Sequence, residues 1–151
     1  MEGTAQLAGP RDSVWRLAAD PRTLASCADE AGTVEVLDER HARVRTRLGG
    51  TGGFAAEATI EWMDLEPFES LTVVVRSSVA GTTVRLPARL VLRDADGEGT
   101  IVSWSAAVEA TGLFAGFAAG IVKGEAARLI EGLVACMQRL LAMQPGTQPD
   151  T

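Results

Sequence analysis

The chain has 151 residues, of which 46% are hydrophobic and 23% charged, and its net charge is −6. This length and composition predict one soluble globular domain with a sizeable core. A net acidic chain without a dense run of Lys or Arg is not expected to bind nucleic acid, nor to attach to anionic lipid by charge alone.

The N-terminal residues are neither basic nor followed by an apolar run, so no signal peptide is predicted. No segment reaches the roughly 20 apolar residues that a membrane span needs. We therefore expect a cytoplasmic protein, in which Cys27 and Cys136 are reduced thiols rather than a disulfide.

The first part of the chain predicts one strand and two short helices. A strand over residues 2–8 is followed by Gly9-Pro10, and proline suits the first position of a helix. Asp20-Pro21 repeats this arrangement with a capping residue, so a second short helix is expected through about Ala28. We expect Trp15 to pack between the first helix and the sheet.

From residue 33 the hydrophobic residues alternate with a period of two, which is typical of half-buried strands. Strands are expected near Val34–Val36 and over 41–48, then, after a glycine-rich turn, from Phe54 to Trp62.

Charges predict how these two longer strands pair. If Leu48 opposes Phe54, then Arg45 opposes Glu57 and His41 opposes Glu61. Opposite charges across a strand pair stabilise it by ~0.2–1 kcal/mol each.

Three further strands are predicted at about 70–79, 82–93 and 100–110, and Pro87 indicates a bulge or an edge position in the second of them. A long helix is expected over roughly 113–143, followed by a disordered polar tail, 144–151. Strands segregated from helices predict an α+β domain over residues 1–143. We expect a curved antiparallel sheet of six to seven strands around the long C-terminal helix, with two short helices after the first strand.

Several of these positions resemble CoxG, a family of carbon monoxide dehydrogenase subunits that belongs to the START and birch-pollen-allergen-like superfamily with its helix-grip fold. The resemblance extends from residue 2 to about 143. It includes a Gly-Thr-x-Val-x-Trp strand from Gly99 to Trp104 and the Gly/Ala-rich start of the last helix. It rests further on Leu7, Pro10, Val14, Trp15, Leu17, Asp20, Pro21, Leu24 and Cys27. The family usually has a Pro-Gly pair shortly after the position of Cys27, whereas this chain continues Ala-Asp-Glu-Ala-Gly.

The resemblance implies a cavity for apolar ligands between the sheet and the long helix. It also implies an accessory role beside a molybdenum hydroxylase such as carbon monoxide dehydrogenase. Some members of the family carry a C-terminal membrane-directed extension. Because this chain ends soon after the helix, we do not expect membrane anchoring, and a peripheral membrane contact stays open.

Four glycines at the start of the last helix are spaced four residues apart and would form one bare stripe on a helix. Each costs ~1 kcal/mol relative to alanine, so the stripe has two interpretations: close packing of helix on sheet, or volume for a cavity. The four are Gly112, Gly116, Gly120 and Gly124. The neighbouring Leu113, Phe114 and Phe117 predict either burial under a loop or an apolar helix end that contacts a membrane or a partner protein.

Residues typical of catalysis are scarce in the chain. The single histidine, His41, lies on the charged face of its strand, where we interpret it as a partner of Glu61 rather than a catalytic base. No metal-binding cluster, nucleophile elbow or phosphate loop is found. The predicted inner face carries few polar residues, namely Thr46, Ser77 and, near a rim, Asp64. The sequence therefore favours a binding protein without a cofactor over an enzyme.

We predict that this chain binds a hydrophobic small molecule, such as a lipid or a quinone, as an accessory protein to a molybdenum hydroxylase. A polyketide cyclase or hydrolase on the same fold stays an alternative, as does a docking module with a filled core. Trp62 and Trp104 serve either core packing or ligand contact. The expected ligand-binding residues are Val44, Phe54, Ile60, Trp62, Val73, Leu90, Trp104, Phe117, Ile121, Leu129 and Leu133.

Overall fold

The computed structural model describes residues 1–27, 33–48, 54–79, 81–113 and 115–143. Within these ranges it describes every side chain except those at 46–48, 54–56, 79, 118, 121, 125–127 and 129. The elements in chain order are β1 (Glu2–Leu7), α1 (Arg11–Ala18), α2 (Pro21–Ser26), β2 (Thr33–Asp38), β3 (His41–Leu48), β4 (Phe54–Glu66), β5 (Ser70–Val79), β6 (Thr82–Asp94), β7 (Thr100–Ala106), β8 (Glu109–Thr111) and α3 (Ala115–Met143). The predicted tail, 144–151, lies outside the described residues.

All the strand pairs are antiparallel and form one eight-stranded sheet in the order β1-β7-β6-β5-β4-β3-β2, with β8 paired to β6. The predicted register of β3 and β4 is confirmed, since Leu48 pairs with Phe54, Arg45 with Glu57 and His41 with Glu61. The α+β class and the two short helices after the first strand are also confirmed.

The last predicted strand, 100–110, divides into β7 and the short β8. The division falls opposite Pro87 in β6, whose carbonyl oxygen accepts a hydrogen bond from the backbone N–H of Ala107 at 3.2 Å. Because the N and C=O of one extended residue point to the same side, the nitrogen of Pro87 faces this interruption. A proline that has no N–H to donate is therefore accommodated at an irregular site within an interior strand.

The packed core consists of two clusters that share Trp15 and Leu90. One cluster joins β1, α1, β6, β7 and the C-terminal part of α3 through Leu7, Val14, Leu92, Val102 and Leu141. The other joins β3, β4 and β5 under α1 and α2 through Ala42, Val44, Ile60, Trp62 and Leu71. Trp15 thus packs between α1 and the sheet as predicted, and its indole N–H donates to the carbonyl oxygen of Ser70 at 3.0 Å.

The prediction of reduced thiols is wrong for this structure, because Cys27 and Cys136 form a disulfide with their Cα atoms 6.1 Å apart. Cys27 caps the C-terminus of α2, while Cys136 lies on the buried face of α3. The two residues are 109 positions apart in sequence, so nothing in their spacing indicated that the fold brings them together. The bond fastens the long helix to the short helix that covers the β3–β5 end of the core.

Candidate functional site

The inner face of the sheet is tightly packed at one end and open at the other. In β5, Leu71 is fully buried, whereas Val73 and Val75 on the same face are only half-buried. In β6, Leu92 is buried, and the inner-face residues toward the start of the strand are half-buried. We call these half-buried apolar positions the open inner surface: Val73, Val75, Val84, Leu86 and Leu90.

Helix α3 follows the same gradient. Its C-terminal half carries the buried Leu141 and Cys136, whereas a Cβ added at Gly116, Gly120 or Gly124 would meet no atom within 4 Å. These three glycines therefore do not serve close packing of helix on sheet. Gly112 lies before the helix with a φ of 117°, a conformation that favours glycine, and a side chain there would collide with the carbonyl oxygen of Gly81.

The N-terminal end of α3 exposes large apolar side chains. Leu113 is 86% exposed and Phe117 is 63% exposed. Phe117 was predicted to contact the ligand from the helix, but in this structure most of its surface faces outward. The aromatic ring stands at the outer rim of the molecule's open end.

Three of the predicted ligand-binding residues lie together in the second core cluster. Val44, Ile60 and Trp62 are 5–8% exposed, and Val73 and Leu90 pack against them from the open inner surface. The indole N–H of Trp62 donates to the carbonyl oxygen of Ala18 at 2.9 Å. Since carbonyls in the last turn of a helix lack partners within the helix, this bond ties the end of α1 to the sheet.

Trp104 lies apart from that cluster, near the edge strand β1. It lines a pocket of about 380 Å³ between β1 and α3, together with Ile130, Glu131 and Val134. A Cβ on Gly3 would come within 2.8 Å of Cζ2 of Trp104, so the indole ring rests against a residue that has no side chain. Leu133 is half-buried on α3. The side chains of Phe54, Ile121 and Leu129 lie outside the described set.

The polar residues considered for catalysis do not converge. The hydroxyl of Ser77 donates to the backbone carbonyl of Glu57 at 2.7 Å. Asp64 is exposed, with a φ of 51°, at an irregularity of β4. Ser77 pairs with Ala58, six residues from Asp64 along the same strand, which separates them by about 20 Å at ~3.3 Å per residue. The side chain of Thr46 is not among those described.

The outer face of the sheet carries a charge network that crosses four strands. Arg45 binds Glu57 at 2.9 Å, and Glu61 receives Arg76 at 3.2 Å and His41 at 3.6 Å. The predicted pairing of His41 with Glu61 is therefore confirmed. These pairs are solvent-accessible, so each is expected to contribute only about 0–1 kcal/mol.

His41 has a closer partner that the sequence analysis did not identify. Its Nδ1 lies 2.8 Å from a carboxylate oxygen of Asp38, and this hydrogen bond raises the pKa of His41 above its ordinary value. The pKa of Asp38 is lowered, first by the backbone N–H of Arg40 and then by His41. A hydrogen bond from Arg45 likewise lowers the pKa of Glu57. This network lies on the outer face, away from the open inner surface.

The curved antiparallel sheet, with two short helices and a long C-terminal helix, defines a helix-grip protein of the START and birch-pollen-allergen-like class. A conserved protein from Geobacillus kaustophilus shares the fold with a TM-score of 0.76 at 22% identity, over 93% of each chain. A START superfamily protein from Mycobacterium smegmatis has a TM-score of 0.66 at 12% identity, over 94% of this chain and 96% of that one. Ara h 8.0201 has a TM-score of 0.67 at 8% identity, over 95% and 97% respectively.

The profile of CoxG, the carbon monoxide dehydrogenase subunit family, matches residues 3–142, so the chain belongs to that family. The resemblance inferred from the sequence is thereby confirmed. A search of curated proteins gives no significant match. Among the described residues, no helix has the length and apolar character required to cross a membrane.

Proposed function

We propose that this protein binds a hydrophobic small molecule, such as a lipid or a quinone, between the sheet and α3. It would do so as an accessory protein to a molybdenum hydroxylase of the carbon monoxide dehydrogenase type. Membership of the CoxG family supports the accessory role. The observation that carries the binding role is the open inner surface, where apolar side chains of two central strands remain half-exposed beneath a helix.

The physical argument rests on surface that the fold leaves unfilled. Leu71 and Leu92 are buried, so the same two strands can exclude water from their inner-face residues. Val75 and Leu86 are not buried to that degree, although they pair directly across the sheet. Covering apolar surface contributes ~25 cal/mol per Å², so an apolar ligand covering about 200 Å² of it would gain about 5 kcal/mol before binding costs.

The test is native mass spectrometry of the purified protein after incubation with a bacterial lipid extract that contains quinones. Val75→Phe fills the open inner surface and is expected to reduce uptake. Val91→Phe makes the same change on the outer face of β6, where Val91 is 44% exposed, and is expected to leave uptake unchanged. If the wild-type protein takes up no apolar molecule, or if both variants lose uptake equally, the proposed binding site is wrong.

The accessory role has its own test. The tagged protein is expressed in its native cells, and the captured material is assayed for molybdenum and for the polypeptides of a hydroxylase. Enrichment of a molybdenum hydroxylase is expected. Its absence from capture, with ligand uptake intact, would remove the partner from the proposal and leave the binding role.

Docking through the N-terminal end of α3 is a second candidate function, favoured by the exposure of Leu113 and Phe117. This hypothesis predicts that Phe117→Asp abolishes capture of the partner while ligand uptake stays normal. If the variant instead loses ligand uptake and keeps the partner, Phe117 belongs to the ligand site.

A further inference from the structure

The free edge of β1 carries backbone groups that no strand satisfies. β1 pairs with β7 on one side only. Met1 and Ala106 exchange two backbone hydrogen bonds at 2.8 Å, which makes the odd-numbered residues of β1 the hydrogen-bonded positions of this ladder. The N–H and C=O groups of the even-numbered residues therefore point away from β7, toward the open edge.

Part of this edge is already completed by a side-chain amide. The amide nitrogen of Gln138, on α3, donates to the carbonyl oxygen of Gln6 at 3.1 Å. Its amide oxygen accepts from the backbone N–H of Ala8 at 3.0 Å. Gln138 thus supplies one donor and one acceptor, as a residue of an added strand would. The edge accepts an amide in strand-like geometry.

The next edge-facing residue along β1 is Thr4, which is exposed. Among the residues that the structure describes, none forms a hydrogen bond with its N–H or C=O. Thr4 borders the pocket of about 380 Å³ described above. That pocket has the indole of Trp104 on the sheet side, Ile130 and Val134 on the helix side, and the exposed carboxylate of Glu131 at its border. Backbone donor and acceptor, apolar walls and one negative charge therefore meet at one place.

We propose that this pocket is an interaction site for a short, extended and positively charged peptide segment of a partner protein. The segment would add to β1 at Thr4, continue the row that Gln138 begins, and place an apolar side chain against Trp104. Glu131 and the net charge of −6 favour a segment that carries Lys or Arg. Helix α3 bounds the pocket and Gln138 occupies the adjoining edge, so a chain terminus or loop tip fits this space better than a second sheet edge. The site goes beyond the proposed function and does not depend on a ligand at the open inner surface.

The probe is the tripeptide acetyl-Lys-Val-Lys-amide, titrated into the ¹⁵N-labelled full chain and followed by two-dimensional NMR. The backbone amide of Thr4 and the indole N–H of Trp104 are expected to shift together, in a saturable manner. Acetyl-Glu-Val-Glu-amide is expected to bind several-fold more weakly. The Lys peptide with an N-methylated valine, which lacks one strand donor, is expected to bind about tenfold more weakly.

Matched proline variants test the edge itself. Thr4→Pro removes the edge-facing donor without touching the ladder to β7, and proline is tolerated on an edge strand. We expect it to weaken the Lys peptide about tenfold, whereas Glu2→Pro, the same change at an edge position that does not line the pocket, leaves binding intact. Glu131→Gln is expected to weaken the Lys peptide by about two- to fivefold.

Three outcomes would overturn the proposal. The first is equal binding of the Lys and Glu peptides. The second is the absence of shifts at Thr4 and Trp104 in a protein whose spectrum is otherwise native. The third is a concentration-dependent dimer, measured by sedimentation, that Thr4→Pro abolishes, because β1 would then pair with a second copy of this chain. Ligand uptake by Thr4→Pro, measured as above, separates a failure of this site from a failure of the proposed function.

Discussion

Removing the bond between Cys27 and Cys136 should destabilise the protein strongly. The residues are 109 positions apart, and cross-linking a loop of that length restricts the unfolded chain by about 4.8 kcal/mol in the chain-entropy description. Native disulfides lost from small domains cost about 2–5 kcal/mol, so we expect a loss within that range. For a chain of this length, that corresponds to a fall in Tm of about 5–20 °C.

The assay is thermal unfolding with and without reductant, alongside intact-mass measurement of the purified protein. The oxidised protein should lack two hydrogens relative to the sequence mass and carry no titratable thiol. The variant Cys27→Ala/Cys136→Ala should unfold near the temperature of the reduced wild type and show no response to reductant. Both cysteines are at most 4% exposed, so reduction should be slow in the native protein and fast in denaturant.

Two free thiols in protein purified under oxidising conditions would refute the pairing. An unchanged Tm on complete reduction would refute the argument from chain entropy. Disulfides persist in oxidising compartments and are rare in the cytosol. Comparing the thiol content of the protein in cell extracts quenched with acid therefore tests the cytoplasmic location predicted from the sequence.

Three further predictions concern a titration, a buried hydrogen bond and a turn. His41 is the single histidine, so its ring protons report one NMR titration, with a pKa above about 6.5 that falls in Asp38→Asn. Because folding raises this pKa, the stabilisation is complete below about pH 6.5 and is lost as pH rises through the folded-state value, which unfolding curves across this range will show. Thr100→Val, at a fully buried side chain, should cost about 1–3 kcal/mol in urea unfolding, since it leaves a backbone carbonyl at 2.8 Å without its hydroxyl donor. Gly112→Ala should lower Tm by several degrees, because it strains a φ of 117° and collides with the carbonyl of Gly81, whereas Gly116→Ala should raise Tm. Equal effects of the two glycine substitutions would contradict the packing described for this end of the helix.

Much of the sheet could be predicted because its signals are local. The alternation of residues and the charges at Arg45 and Glu57 determined the register of β3 and β4, and the structure agrees pair by pair. Pro87 indicated an irregularity within its strand, and the ladder is indeed interrupted opposite it. These features depend on neighbours within a hairpin, where sequence distance and spatial distance correspond.

The features that could not be predicted depend on distant parts of the chain. Cys27 and Cys136 meet only because α2 and the C-terminal half of α3 lie on the same core. The bond between Gln138 and the edge of β1 joins residues more than 130 positions apart, and a lone glutamine on a polar helix face gives no signal for it. The glycine spacing was visible, but periodicity shows only that positions share a face. It does not show whether that face meets the sheet or open space.

The two halves of α3 differ in what holds them. In the C-terminal half, Cys136 is covalently joined to α2, Gln138 is bonded to β1, and Leu141 is buried in the first core cluster. In the N-terminal half, three glycines lower the intrinsic helix stability by about 1 kcal/mol each relative to alanine, and a side chain at any of them would meet open space. A ligand that covers the open inner surface would therefore add apolar contacts where the helix has the least of its own. The structure thus favours entry at the end marked by Leu113 and Phe117, because separating the helix from the sheet at the other end would disrupt a covalent bond and a packed core.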